Sequence, residues 1–448
     1  MITVRRPRPI LRHLLWILPA ILYWIWLVSG LRGVPFHPDE ATWIYMSRDL
    51  DRVFAAGPGA VCWRPESAGD PLQVERERAC PLPRDIIGVS RLLAGRSATT
   101  TDWNWSLSWE ENAHNGALPS DEVIFLARLP QTLMLLLAVL LLGRIGWRVG
   151  GITGAATAAL LFAFNSQILL HSRRAMSESA LLFGMILVVA LVFEWQAAEG
   201  RLRRMVIGPG LIGLALAITV SAKLSGVLVL PVAAAAMFLP AESRRTEKPL
   251  LSGLGRVAIL TVCFLALFLV LNPLYLCHPL DAVRAVVSSR DHLFAGQLDA
   301  LRQASPGQAL DTPGLRLLAM VYQPFLAPLA FWDIPNYAAA TTAAQQAYLA
   351  DPLLNLTSGG VISGLWVTLT IVGMVLSIIR FAKPWQRGRL IILWVWTLGV
   401  LVGILWQVPI LWQRYYLPLI PVFAIWAGLA VSSISGWIIQ SRERGGTK

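Results

Sequence analysis

The stretch Phe36-His37-Pro38-Asp39-Glu40-Ala41-Thr42-Trp43 sets a histidine and two adjacent carboxylates just beyond an apolar run, Leu14 to Val28. Ionisable side chains are costly to hold at the edge of a hydrocarbon layer, so a group of them where a greasy segment ends points to a functional site. The bland alternative is that Pro38, Asp39 and Glu40 simply start a helix. Arg5, Arg6, Arg8 and Arg12 precede the run, as in a signal peptide. The run is too long and too rich in Trp for a signal core, and no small-residue cleavage site precedes the carboxylates, so it reads as an uncleaved anchor.

Outward from this stretch the chain stays apolar. Its 448 residues are 56% hydrophobic and 14% charged, with 19 Trp, and the mean hydropathy is +0.59. These values exclude an ordinary soluble domain and indicate a polytopic membrane protein. The net charge of +12 fits arginine-rich cytoplasmic loops rather than a nucleic-acid surface.

Ten segments are long enough to cross a hydrocarbon core of about 30 Å. They fall near residues 13–31, 122–143, 151–170, 175–198, 206–222, 224–240, 253–274, 359–380, 390–408 and 416–438. Cations cluster in the connections at 144–150, 199–205, 241–250 and 380–389, including Arg144, Arg148, Arg201, Arg203, Arg204, Arg244, Arg245, Lys248, Arg380, Lys383, Arg387 and Arg389. In loop 32–121 acidic residues outnumber arginines. The positive-inside rule therefore puts both termini in the cytoplasm, with two long extracytoplasmic loops, 32–121 and 275–358.

Within the first loop, Trp43, Met46, Leu50, Val53 and Phe54 recur at helical spacing and predict an amphipathic helix on the membrane surface. Pro313 to Trp332 is apolar but interrupted by Arg316, Pro324 and Pro328, and reads as interfacial or re-entrant. No fixed-period repeat or low-complexity linker divides the chain, so residues 1–448 form a single domain. Of four cysteines, Cys62 and Cys80 share the polar first loop and are the natural disulfide pair in an oxidising compartment, with two free thiols as the alternative.

Five outer connections contribute charge at one depth. Besides Asp39 and Glu40 they hold Arg128, Arg173, Arg174 with Glu178, Lys223, and Arg414 with Tyr415; Tyr275 and His278 follow the seventh span. Cations on this face run against the topology rule, which makes them informative. They suit a reaction in which arginine and lysine hold a lipid-borne phosphate while a carboxylate accepts a proton from an incoming hydroxyl. Each has a plainer reading: headgroup contact for Arg173 and Arg174, snorkelling for Lys223, an interfacial belt for Arg414 and its tyrosines.

The order of these motifs resembles the type C glycosyltransferases, specifically the protein O-mannosyltransferase and aminoarabinose-transferase branch. The resemblance is carried by His37-Pro38-Asp39-Glu40-Ala41, Ala127-Arg128-Leu129, His171-Ser172-Arg173 with Glu178, Ala222-Lys223-Leu224-Ser225-Gly226, Asn272-Pro273 and Arg414-Tyr415-Tyr416-Leu417-Pro418. It implies a helical bundle of about ten spans with interfacial helices in the two long loops. It also implies inverting transfer of a sugar from a polyprenyl-phosphate donor to a glycan, lipid or protein hydroxyl on the extracytoplasmic face, with a bacterial plasma membrane as the setting.

Asp39 with Glu40 is then the catalytic base or acceptor-binding group. Arg128, Arg173, Arg174, Lys223 and Arg414 hold the donor phosphate, and His37, Glu178, Tyr275, His278 and Tyr415 line the substrate site. The sequence departs from bacterial relatives in lacking a His-Pro-Pro element between Trp103 and Asp121, where only His114-Asn115 stands, and it lacks the Trp-Trp-Asp motif of oligosaccharyltransferases. No obligate metal is indicated, although His37 with Asp39 or Glu40 could ligate a divalent cation. The rival class is a transporter or lipid flippase, which predicts inverted repeats and charges near the bilayer centre. A structural subunit of an envelope complex would not need outer cations beside paired carboxylates.

Overall fold

The computed structural model describes residues 9–67, 69–198, 200–239, 249–357, 359–381 and 384–445. Arg5, Arg6, Arg8, Arg244, Arg245, Lys248 and Lys383 lie outside them. Seven helices among the described residues are long and apolar enough to cross a membrane. Two shorter apolar helical segments, Ile17–Ser29 and Leu224–Phe238, accompany them. The isolated bridge between Ala309 and Ile410 is the β pairing among the described residues.

The 43-residue helix Asp121–Ala163 accounts for two expected spans, because it folds back on itself at Gly150 and Gly151. Gly151 has φ +64°, a conformation that side chains disfavour and glycine adopts freely. The ten expected segments therefore all land on helix. Segment 224–240 is the weakest of them, since its first six residues wind as a 3-10 turn before the short helix Leu230–Phe238.

In lipid, apolar surface does not drive helices together, so close backbone approach and polar contacts must. The last helix, Leu419–Gly445, packs against both the hairpin and Gly360–Arg380. A Cβ at Gly373 would lie 1.9 Å from the Trp426 carbonyl oxygen, so only glycine allows that crossing. At one end of the bundle Arg144 and Arg148 share Glu194, and Arg389 donates to the Arg148 carbonyl at 3.0 Å. The two long loops lie at the other end.

The first loop is a folded cap rather than a tether. The expected single surface helix breaks into Pro38–Met46 and Asp49–Ala56, followed by Pro71–Arg78, Pro81–Leu93 and Trp109–His114. Buried arginines hold the break. Arg76 forks onto Asp49 at 2.7 and 2.8 Å, and Arg91 reaches the Ser47 carbonyl at 2.9 Å. The second loop adds a 26-residue helix, Pro279–Ala304, that exposes Leu280, Val283 and Val287. Pro313–Val321 is only nine residues long and ends in a π turn at Tyr322–Leu326, so it does not cross.

The cysteine expectation is corrected here. Cys62 is bonded to Cys277, 215 residues away, and Cys80 is a buried free thiol. The second loop folds back onto the first, where the Trp63 amide donates to the Leu274 carbonyl at 2.9 Å. That contact brings the end of the seventh span beside Cys62.

Candidate active site

Pro38 sits at the first helical position of Pro38–Met46, and His37 caps the helix. His37 Nδ1 accepts from the Asp39 amide at 3.2 Å while the Glu40 carboxylate accepts from the His37 amide at 3.0 Å. This capping box separates the two carboxylates. The side chain of Glu40 turns inward, completely buried, and that of Asp39 stays 24% exposed.

The inward group is fully engaged. Glu40 receives a bidentate fork from Arg128, both bonds at 2.7 Å, and the Ala175 amide at 2.8 Å. Arg128 also donates through Nη1 to the Leu31 and Val34 carbonyls. Arg173 donates to the Leu169 carbonyl and to the Tyr348 hydroxyl, and Arg174 to the carbonyls of Pro35 and Phe331. All three guanidiniums are buried among protein acceptors. Glu40, Arg128, Arg173 and Arg174, expected at the substrate and its phosphate, line neither of the two cavities described below and here brace the loop against the spans.

The outward group meets Arg414, whose guanidinium contacts Asp39 through one nitrogen and Asp333 through another, the latter at 2.7 Å. Burial works against the charge on Arg414, but Asp333 and Asp39 outweigh it and hold its pKa above the usual range. Burial pushes the Asp333 carboxyl up to about 6, with Arg414 opposing and Asp39 adding to the rise. His37, stacked on Trp332 at 5.6 Å, is kept neutral by burial and by the nearby Arg174.

Two cavities meet at this point. One, about 400 Å³, is lined by Asp39, Asp333, Glu178 and several tryptophans. The other, about 580 Å³, runs along apolar residues such as Leu228, Val287, Ile404 and Trp406. Lys223, Arg290, Phe294, Arg414 and Tyr415 line both. Lys223 pairs with Glu178 at 2.9 Å and lies 5.1 Å from the Tyr415 ring. Three cations thus stand where a polar chamber joins an apolar one.

Of the residues singled out in the sequence, Asp39, Lys223, Arg414, Tyr415 and Glu178 line the first cavity, with His37 just behind them. Tyr275 and His278 do not line it. Tyr275 stacks on Phe268 at 5.5 Å and borders a separate crevice of about 20 Å³, and His278 packs against Trp63. The disulfide ties that part of the second loop to Cys62, beside Trp63.

Asp333 and Arg290 escaped the sequence reading. Asp333 had a signal, being the only charge between Arg316 and Asp351. Arg290 had none, since it is one cation among many on a surface helix. The chain also holds one Asp-x-Asp pair, Asp49-Leu50-Asp51, and both carboxylates are taken by arginines of the first loop.

His37, Asp39 and Asp333 offer ligand atoms within 4.8 Å of one another. His37 Nδ1 is already occupied by the Asp39 amide, and Arg414 bridges the two carboxylates. A divalent cation would fit this group only with the guanidinium displaced.

Residues 91–277 of the 448 match the family model described as dolichyl-phosphate-mannose-protein mannosyltransferase. No curated protein matches the chain. Among solved structures, the archaeal oligosaccharyltransferase AglB from Archaeoglobus fulgidus, in complex with an inhibitory peptide and a dolichol-phosphate, aligns over 97% of this chain and 52% of that one. The TM-score is 0.52 and the identity 13%. Its apo form aligns over 96% and 52%, with the same TM-score and identity. ArnT from Cupriavidus metallidurans in the apo state aligns over 91% of this chain and 77% of that one at 17% identity, with a TM-score of 0.38. The chain spans about half the length of the oligosaccharyltransferase structures it matches. It shares their fold, and the resemblance read from the motifs is borne out by the family match.

Proposed function

We propose that the chain is an integral-membrane glycosyltransferase that moves a sugar from a polyprenyl-phosphate donor to an acceptor hydroxyl on the extracytoplasmic face, with inversion. The observation that carries this reading is the junction of the two cavities. Lys223, Arg290 and Arg414 stand where an apolar groove suited to a prenyl tail opens into a polar chamber containing Asp39.

In that frame the donor phosphate sits among these three cations, its tail in the groove and its sugar beside Asp39. The acceptor oxygen attacks the anomeric carbon and gives its proton to the Asp39 carboxylate. The bond from that carbon to the phosphate oxygen breaks, and its electron pair leaves on the phosphate. Negative charge grows where Lys223 and Arg414 already point, so they favour the transition state over the ground state. Asp333 and Asp39 hold Arg414 in place between them.

His37, Asp39 and Asp333 would hold a divalent cation if Arg414 moved aside, and such an ion would supply further charge stabilisation at the phosphate. The reading needs no step from it. A transporter or flippase would need polar groups near the bilayer midplane, whereas the polar groups of both cavities gather at the loop end of the bundle.

The test is incubation of the purified protein with a panel of polyprenyl-phosphate sugars. Consumption of one of them, lost in Asp39→Asn, supports the reading. A panel left intact, with lipid transported instead, would overturn it.

A further inference from the structure

The polar cavity has a part that the donor reading does not use. Away from the cations it shares with the groove, its walls are the indoles of Trp43, Trp103 and Trp105 and the polar groups of Thr42, Glu75 and Asp102. Chemically this part differs from the junction: flat aromatic faces and two carboxylates dominate it, with Arg78, paired to Glu75, its one cation among the described lining residues.

The aromatic wall is built rather than incidental. Trp103 meets Tyr337 edge-on at 5.2 Å and Trp109 at 5.3 Å. Tyr337 is fixed by donating its hydroxyl to the Leu107 carbonyl at 2.8 Å. Trp103 is 4% exposed, and its Nε1 has no hydrogen-bond partner among the described residues, although indole N–H groups buried to that degree normally find one.

The carboxylates are desolvated. Burial raises the pKa of Glu75, and Asp102 raises it further; burial likewise raises that of Asp102. Arg78 contacts Glu75 at 3.0 Å, while Asp102, among the described residues, accepts from the Trp103 amide at 2.7 Å and from Thr42. Two carboxylates lining one cavity, with lone pairs to spare, call for a ligand rich in donors.

We propose that this region is the acceptor subsite of the transferase and that the acceptor is a neutral glycan. One pyranose ring lies with its C–H face on an indole, and its neighbouring hydroxyls donate to Glu75 and Asp102. A cavity of about 400 Å³ holds a sugar beside the donor sugar within the usual range of ligand sites. An anionic acceptor would be repelled by the Asp102 carboxylate, and a lipid tail would leave its spare lone pairs without donors. The hydroxyl to be glycosylated then points along the cavity toward Asp39, which borders the same space.

This inference rests on the transferase reading but is tested apart from it. Saturation-transfer NMR on the full-length protein in detergent uses methyl α-D-mannopyranoside, methyl α-D-glucopyranoside and a threonine-rich octapeptide as probes. The expected result is binding of a glycoside and not of the peptide. That binding should weaken about tenfold or more in Asp102→Asn and in Glu75→Gln, while thermal unfolding and affinity for polyprenyl phosphate stay as in the parent. Glycoside binding that both variants retain, binding of the peptide alone, no binding of either glycoside, or displacement of the glycoside by the polyprenyl-phosphate sugar would each overturn the proposal. Donor consumption measured on the same samples separates the two readings. Glycoside binding through Glu75 and Asp102 without consumption of any donor sinks the transferase and leaves a saccharide site. Consumption without such binding does the reverse.

Discussion

Asp39 and Arg414 lie 375 residues apart in the sequence and meet as carboxylate and guanidinium at the mouth of two cavities. The capping box sends Glu40 inward and leaves Asp39 facing the chamber. If Asp39 takes the acceptor proton, Asp39→Asn lowers turnover by about 10²–10⁴-fold, the usual worth of a positioned general base. The protein should still insert and melt as the parent does, and unchanged turnover would remove Asp39 from the mechanism.

The neighbouring carboxylate should behave in the opposite way. Glu40 and Arg128 form a buried bidentate pair, so Glu40→Gln or Arg128→Met leaves one charge without its partner, at a cost of about 3–5 kcal/mol. Thermal unfolding in detergent should fall sharply in both. Preserved stability with selective loss of donor affinity would return Arg128 to the phosphate site.

Lys223 is only partly buried and borders both cavities. Lys223→Gln should weaken binding of the polyprenyl-phosphate donor about tenfold, in the range of one charge-assisted hydrogen bond, with little change in melting. Equal donor affinity in parent and variant counts against the junction as the phosphate site.

Asp333 gives the reaction a pH limb. Its carboxyl, pushed up to about 6, is protonated below that pH and charged above it. Below pH 6 the ion pair with Arg414 weakens, so the rate should climb between about pH 5 and 7 as that pair forms. Asp333→Asn should flatten this limb at a lower plateau. A limb that persists in the variant belongs to another group.

Mass spectrometry without reduction should recover Cys62 joined to Cys277 and Cys80 as a free thiol. Cys277→Ser should destabilise the protein by about 2–5 kcal/mol, since the bond ties together two long loops. A peptide linking Cys62 to Cys80 would contradict the fold of the second loop.

The sequence by itself determined the class of molecule, the positions of its ten helical segments and the two long loops. Hydropathy and helix-start signals are properties of a few neighbouring residues, and the bilayer leaves a chain of such runs little choice but to span it. It also picked out most of the charged residues that gather at the loop end of the bundle. What only the tertiary structure decided is which of them face the cavity. Arg128, Arg173 and Arg174 look like free cations in a string of letters, yet each is buried and donates to protein carbonyls, those of Leu31, Leu169, Pro35 and Phe331 among them. The partners of Cys62 and Arg414 were likewise out of reach. A hydrogen bond or disulfide between distant segments depends on where each helix ends in space, and no local pattern records that.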